Sequence, residues 1–130
     1  MASLLFLLWV FQVHQTALKV IVQNVQVGKG SIVVSLYNEE KDFLNKPMAS
    51  QTLKATEPIM QFSFSVPPGD YAIAAYQDLN ENKKLDAGIF HIPKEPYGFS
   101  NNYRPAFSAP QFKDCVIKIS GDSASAIDLK

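Results

Sequence analysis

Several ingredients that define common protein classes are scarce in this sequence. Its single cysteine, Cys115, cannot form a disulfide within the chain. His91 is the only histidine after the N-terminal segment, which excludes a histidine-rich zinc site. Basic and acidic side chains number 12 each, so charge gives no reason to expect nucleic acid or an anionic membrane as partner. No apolar run approaches the ~20 residues that a membrane-spanning helix requires.

The N-terminal segment is apolar and short. The first 17 residues of the 130 carry no charged side chain, and residues 4–11 (LLFLLWVF) form an uninterrupted apolar run. This pattern is typical of a secretory signal peptide at 1–17, with cleavage after Ala17. A buried first strand or core helix is the alternative. We therefore expect an exported protein (periplasmic, cell-envelope or extracellular) with one domain at 18–130 and no transmembrane segment in the mature chain.

The rest of the chain has the periodicity of β-strands. Residues 59–66 (IMQFSFSV) alternate strictly, which predicts Phe62, Phe64 and Val66 on a buried face. Gly28-Lys29-Gly30 predicts a hairpin turn between strands at 18–27 and 31–37. Further strands are predicted at 49–55, 71–77, 112–120 and 124–129. The sequence thus predicts an all-β fold: a single antiparallel β-sandwich of about seven strands, immunoglobulin-like or transthyretin-like, with a small barrel as the alternative.

One long structured loop is expected from residue 78 to residue 102, and its first part has the spacing of a calcium loop. Calcium takes six to eight oxygen ligands, which alternate side chains on a tight loop can supply. The predicted ligands are the side chains of Asp78, Asn80, Asn82 and Asp86 and the backbone carbonyl of Lys84.

Two positions depart from calcium loops of the EF-hand type. Lys83 stands where glycine is usual, and Ile89 where a bidentate glutamate is usual. If calcium binds, we expect a weak Kd of about 10⁻⁴–10⁻³ M. The alternative is a metal-free turn that the Asp and Asn side chains hold by bonding their own backbone.

The second part of the loop is rich in aromatic residues, which argues against disorder. One interpretation is a binding surface for an envelope protein or glycan, formed by Phe90, His91, Tyr97, Phe99 and Tyr103. The other is that these rings cover an open end of the sandwich.

Three motifs together resemble a known family. They are Pro68-Gly69-Asp70-Tyr71-Ala72, the D-x-N-x-N-x-K-L-D loop at 78–86, and Ile92-Pro93-Lys94-Glu95 leading into 97–102 (YGFSNN). The chain resembles the bacterial exported proteins grouped as domain of unknown function 2141. This resemblance implies an envelope or secreted β-sandwich without an established activity. Glycine is usual in the family where Lys83 stands here.

Catalysis is the less favoured function. A hydrolase could use the carboxylates of Asp78, Asp86 and Glu95 with His91, but no spacing rule singles these residues out. Transthyretin-like hydrolases depend on several histidines and a Tyr-Arg-Gly-Ser signature, which Tyr103-Arg104-Pro105 does not reproduce. The sequence therefore favours a non-catalytic exported β-sandwich, a structural or binding module of the cell envelope.

Overall fold

The computed structural model describes residues 14–83 and 95–130, and most of its regular structure is β-strand. A four-residue helix, α1 (Phe112–Cys115), and two short 3-10 turns, Glu40–Asp42 and Ser100–Asn102, complete the regular elements. In chain order, the strands are β1 (Thr16–Gln23), β2 (Ser31–Tyr37), β3 (Ala49–Lys54), β4 (Met60–Val66), β5 (Gly69–Asp78), β6 (Tyr97–Phe99), β7 (Ile117–Ile119) and β8 (Ser123–Asp128).

These strands form two sheets, which confirms the predicted β-sandwich. The three-stranded sheet has the order β4-β1-β8, and the five-stranded sheet has the order β3-β2-β5-β6, with β7 also paired to β5. The strand that the sequence prediction missed is β6, which lies inside the stretch expected to be loop and pairs antiparallel with β5.

The predicted hairpin between the first two strands is wrong. β1 pairs with β4 and β8, whereas β2 pairs with β3 and β5, so the connection between them crosses from one sheet to the other. Gly28 and Gly30 do adopt left-handed conformations, with φ of 81° and 62°. Glycines of this kind permit a tight reversal, but they do not decide which strands become neighbours.

The sandwich is not wholly antiparallel, because β8 runs parallel to β1. After β7, the turn at residues 120–122 carries the chain from the five-stranded sheet back to the three-stranded one. The chain then enters beside the start of β1, where Asp122 Oδ1 accepts the N–H of Ala17 at 2.9 Å. Entry at that end gives the last strand the same direction as the first.

The main core lies between the sheets and follows the predicted alternation. Phe62, Phe64 and Val66 of β4 are buried, and the residues between them are exposed, as the sequence predicted. They pack with the buried Ile32 and Val34 of β2 in one hydrophobic cluster. Burial of alternate side chains on both inner faces stabilises the sandwich by removing apolar surface from water.

A second cluster lies on the outer side of the five-stranded sheet, under α1. The predicted strand at 112–120 is wrong in its first half: residues 112–115 form α1, and only 117–119 are strand. The buried Ser100 connects β5 with α1, because its Oγ accepts the N–H of Ile73 at 2.9 Å and donates to the carbonyl of Cys115. Cys115 is fully buried.

The first strand begins two residues before the predicted signal-peptide boundary. Thr16 is buried, and its Oγ1 donates to the carbonyl of Val66 at 3.1 Å. Cleavage after Ala17 stays a prediction, and it would remove this contact. Across residues 14–83 and 95–130, no helix has both the length and the apolar character needed to cross a membrane.

Candidate functional site

The predicted calcium loop begins at the end of β5, where its first residues are held by side-chain oxygens. Asp78 is only 2% exposed, and its Oδ1 and Oδ2 accept the N–H groups of Asn82 and Lys83 at 3.2 and 2.7 Å. Asn80 Oδ1 also accepts the N–H of Asn82, at 3.2 Å. These bonds are the side-chain-to-backbone contacts of an Asx-type turn.

The tight path of this loop requires left-handed backbone at two residues with side chains. Glu81 has φ of 54°, and Lys83 has φ of 63°. Such a conformation costs about 1–2 kcal/mol in a non-glycine residue. The bond from the Lys83 N–H to the buried Asp78 carboxylate offsets part of this cost. Lys83 therefore adopts the conformation that glycine usually supplies at this position.

A second buried carboxylate, that of Glu95, binds the backbone at the start of the loop. Glu95 is 4% exposed, and its Oε2 accepts the N–H of Leu79 at 2.7 Å. The bond connects the residue after β5 with the segment that leads into β6. The sequence showed Glu95 only as one carboxylate among several, because its role depends on a contact across 16 residues.

The remaining calcium ligands cannot be placed. Lys84 and Asp86 lie outside the described residues, so the calcium site stays a prediction. Within residues 14–83 and 95–130, no three His, Cys, Asp or Glu side chains form a group suited to a metal ion. Phe90 and His91 of the predicted binding surface also lie outside the described residues.

A groove runs along the outer face of the five-stranded sheet, the face turned away from the main core. It consists of two adjoining cavities of about 640 and 420 Å³ that share Val33, Tyr76 and Lys83. We call it the outer groove. The other lining residues are Ser31, Thr52, Lys54, Asp78 and Glu81 in the first cavity and Ser35, Tyr37, Leu44, Ser50, Ala74, Ala75, Tyr97 and Phe99 in the second.

Hydroxyl groups and one ion pair provide the polar part of the outer groove. Ser35 and Ser50, on neighbouring strands, bring their Oγ atoms within 3.0 Å. Lys54 forms an ion pair with Glu81, and Ser31 Oγ donates to Glu81 Oε1 at 3.2 Å. The Lys54 hydrogen bond and charge, helped by Ser31, lower the pKa of Glu81. This end of the groove therefore carries a carboxylate and an ammonium that neutralise each other.

Lys83, in contrast, has no carboxylate partner for its ammonium among residues 14–83 and 95–130. Lys83 lines both cavities of the groove. The outer groove thus combines an apolar floor, hydroxyls on one side and a lysine that has no carboxylate partner within the described part of the chain.

The predicted binding aromatics that the structure describes belong mainly to the second cluster. Tyr97 and Phe99 are buried, with ring centroids 5.6 Å apart in an edge-to-face arrangement, and Tyr103 is half-buried. The guanidinium of Arg104 lies 4.0 Å from the centroid of the Tyr97 ring and donates to the Tyr97 carbonyl at 2.6 Å. These rings cover the outer side of the sheet, and Tyr97 and Phe99 also form one wall of the outer groove.

Tyr37 and Tyr76, which the sequence did not single out, line the groove as well. Burial raises the pKa of Tyr37, and a hydrogen bond with Ser35 opposes that effect. Strand alternation could have placed both rings on the outer face, but only a correct order of strands shows that they share a groove with Tyr97. The sequence prediction lacked that order because it paired β2 with the wrong strand.

Cys115 has the environment of a structural thiol. Burial, and secondarily the charge of Asp114, raise its pKa to about 11, so the thiol stays protonated near neutral pH. Cys115 lines neither cavity of the outer groove.

The fold is an all-β sandwich whose five-stranded sheet carries the outer groove, lined by aromatic rings and hydroxyl groups. At the rim of the groove, side-chain oxygens bind the backbone at the start of the loop. The family model described as "Uncharacterized protein conserved in bacteria (DUF2141)" matches residues 20–127. The chain belongs to this family, which agrees with the resemblance noted from its motifs. No curated protein and no solved structure matches the chain.

Proposed function

We propose that this protein is an exported, non-catalytic binding module of the cell envelope that holds a ligand in the outer groove. The outer groove carries the proposal, because a concave apolar surface with a few converging polar groups is the usual form of a ligand site. The apolar run at residues 4–11 supports export, and the bacterial family is consistent with an envelope location.

An envelope glycan is the ligand class that the groove favours. Sugar rings present apolar C–H faces, which pack against aromatic rings, and hydroxyls, which pair with serine and threonine side chains. The groove offers the half-buried ring of Tyr76 for the first kind of contact, beside the mostly buried Tyr97 and Phe99, and Ser35 and Thr52 for the second. An envelope protein is the other candidate partner.

The test is calorimetric titration of the protein with a panel of purified cell-wall oligosaccharides. Tyr76 lines both cavities, so Tyr76→Ala should weaken binding by about tenfold or more. Phe107→Ala is the matched control, because Phe107 is 95% exposed and lines neither cavity. Absence of binding by any oligosaccharide, or equal losses in the two variants, would count against the glycan.

We also propose that calcium orders the loop at the rim of this groove with weak affinity. The left-handed Lys83 and the buried Asp78 at its start support this proposal, because EF-type loops need a sharp turn at the sixth position and a carboxylate at the first.

Millimolar Ca²⁺ should raise the Tm of the protein, and EDTA should reverse the change. Asp86→Asn should abolish this response, and Asp70→Asn, at an exposed position of β5, should preserve it. Asp78 is not a clean probe because its carboxylate already holds the loop backbone. An unchanged Tm at millimolar Ca²⁺ would leave the metal-free turn as the explanation.

A further inference from the structure

We propose that the outer groove continues into a third cavity beside the start of the loop, and that the whole cleft binds an unbranched glycan chain rather than a single sugar. This inference rests on the glycan-binding function proposed above and names the form of the ligand. The length of a cleft and the spacing of its polar groups decide how many linked sugar units it can hold.

The third cavity adjoins the first cavity of the outer groove, the one of about 640 Å³, at an ion pair. Its own volume is about 450 Å³, and Lys54 and Glu81 line both spaces. Thr56 and Asn80 line it as well, the first after β3 and the second after β5, which are the two neighbours of β2. The three cavities therefore follow one another along the sheet, since each shares lining residues with the next.

A row of polar side chains on β3 runs through all three cavities. Its members alternate along the chain, and we call them the β3 row: Ser50, Thr52, Lys54 and Thr56. Ser50 lines the second cavity, Thr52 and Lys54 line the first, and Lys54 and Thr56 line the third. All four are exposed. Alternate residues of a strand lie ~6.6 Å apart, so the part of the row within β3 alone is ~13 Å long.

Apolar side chains of β5 and of the residue after it stand across the cleft from the β3 row. Tyr76 lines the first and second cavities, and Leu79 lines the third. β2 lies between the two sides and adds Val33 to the first two cavities. A chain of linked sugars repeats apolar ring faces and hydroxyls along its length, which matches an apolar side opposite a row of hydroxyls and an ammonium.

The Lys54–Glu81 ion pair contributes binding groups where the first and third cavities meet. The two side chains are 70% and 47% exposed, so a ligand can reach both. The ammonium donates hydrogen bonds and the carboxylate accepts them, and hydrogen bonds to charged groups are stronger than those between neutral groups. The pair therefore contacts the sugar unit that connects the two cavities.

An extended peptide fits this cleft less well than a glycan chain does. Peptides that bind to a sheet in extended form pair with free backbone groups of an outer strand. The middle strand of this cleft is β2, whose backbone pairs with β3 on one side and β5 on the other. The cleft thus offers side chains, which suit the hydroxyls and ring faces of sugars.

The test uses glycan strands released from purified bacterial cell wall and separated into disaccharides, tetrasaccharides and hexasaccharides. In calorimetric titration, the hexasaccharide should bind at least about tenfold more tightly than the disaccharide. Thr56→Trp, which fills the third cavity, should remove this gain and leave the disaccharide affinity unchanged. Ser65→Trp is the matched control, because Ser65 is exposed on β4 and lines none of the three cavities.

Nuclear magnetic resonance of the natural protein gives a second result that does not depend on any variant. The hexasaccharide should shift the amide resonances of Thr56 and Asn80, whereas the disaccharide should shift that of Tyr76. Equal affinity at all three lengths, with Thr56 and Asn80 unshifted, would overturn the third cavity as a binding site and leave the glycan-binding groove standing. Absence of binding at every length would overturn the inference, and the wider oligosaccharide panel would then decide whether the groove binds glycans at all.

Discussion

Adding one methyl group at Gly30 should damage the protein much more than the same change at Gly28, two residues earlier. Both glycines have positive φ, 62° and 81°, so alanine costs about 1–2 kcal/mol of strain at either position. At Gly28 an added Cβ meets nothing within 4 Å. At Gly30 it would lie 1.9 Å from the carbonyl oxygen of Asp78 and 2.9 Å from Leu79 Cα, which are both backbone atoms.

Because backbone cannot rotate away as a side chain can, the end of β5 must shift in Gly30→Ala. Overpacking of this kind costs about 1–3 kcal/mol beyond the strain. We expect Gly28→Ala to lower the free energy of unfolding by about 1 kcal/mol and Gly30→Ala by about 3 kcal/mol.

Urea unfolding followed by circular dichroism measures both values by linear extrapolation. The two variants are matched in composition and in the sign of φ, so their difference isolates the approach of Gly30 to Asp78. Similar losses in the two proteins would refute the reasoning, because the turn between the sheets would then not contact the start of the loop.

Three other changes test the loop, the second cluster and the buried thiol. Lys83→Gly should raise the free energy of unfolding by about 0.5–1 kcal/mol, because relief of left-handed strain exceeds the entropy that glycine adds to the unfolded chain. Urea unfolding at neutral pH measures this free energy, and a decrease would contradict the positive φ of Lys83. Ser100→Ala should cost about 2 kcal/mol because it leaves the buried N–H of Ile73 without an acceptor, whereas Ser65→Ala, at an exposed position, should cost almost nothing. The pKa of Cys115 is raised from 9.0 to about 11, so the folded state holds a proton that the unfolded chain releases between these values. Stability should therefore fall as pH rises through this window, by up to about 1.4 kcal/mol per pH unit, and Cys115→Val should remove that part of the slope.

Local patterns predicted the strands well where burial alone decides them. The strict alternation from Phe62 to Val66 corresponds to a strand with one face in the core, and the structure has it there. The strand predicted at 49–55 is likewise present, as β3 (Ala49–Lys54). These features depend on neighbours in sequence, and the sequence contains that information.

The order of strands depends on distant contacts, and there the sequence prediction failed. Glycines at 28 and 30 serve a hairpin and a crossing between sheets equally well, so the turn could not reveal that β1 lies beside β8. The strand predicted at 112–120 depended on the alternation of Cys115, Ile117 and Ile119, but Asp114 accepts the backbone N–H of Gln111 at 3.0 Å at the start of a helix. The acidic Asp114, three positions after Gln111, was the feature of the sequence that indicated a helix start here.

The candidate site was predicted in part for the same reasons. The side-chain oxygens of Asp78 and Asn80 accept backbone N–H groups of the loop, as in the metal-free turn given as the alternative, whereas the calcium ligands stay a prediction. The outer groove could not be predicted, because its walls come from four strands whose order the sequence did not show. The roles of Glu95 and Tyr76 depend on contacts between residues distant in sequence: the bond from Leu79 N–H to Glu95, and the position of Tyr76 in the groove.

The parallel pairing of β1 with β8 has a consequence for biosynthesis. Among the described strands, the first in chain order is the central strand of its sheet, and one of its two neighbours is the last in chain order. Until residues 123–128 have been made, Leu18 and Val20 lack their neighbours in β8. Contacts so distant along the chain slow folding. The three-stranded sheet can therefore close only after residues 123–128 have been made.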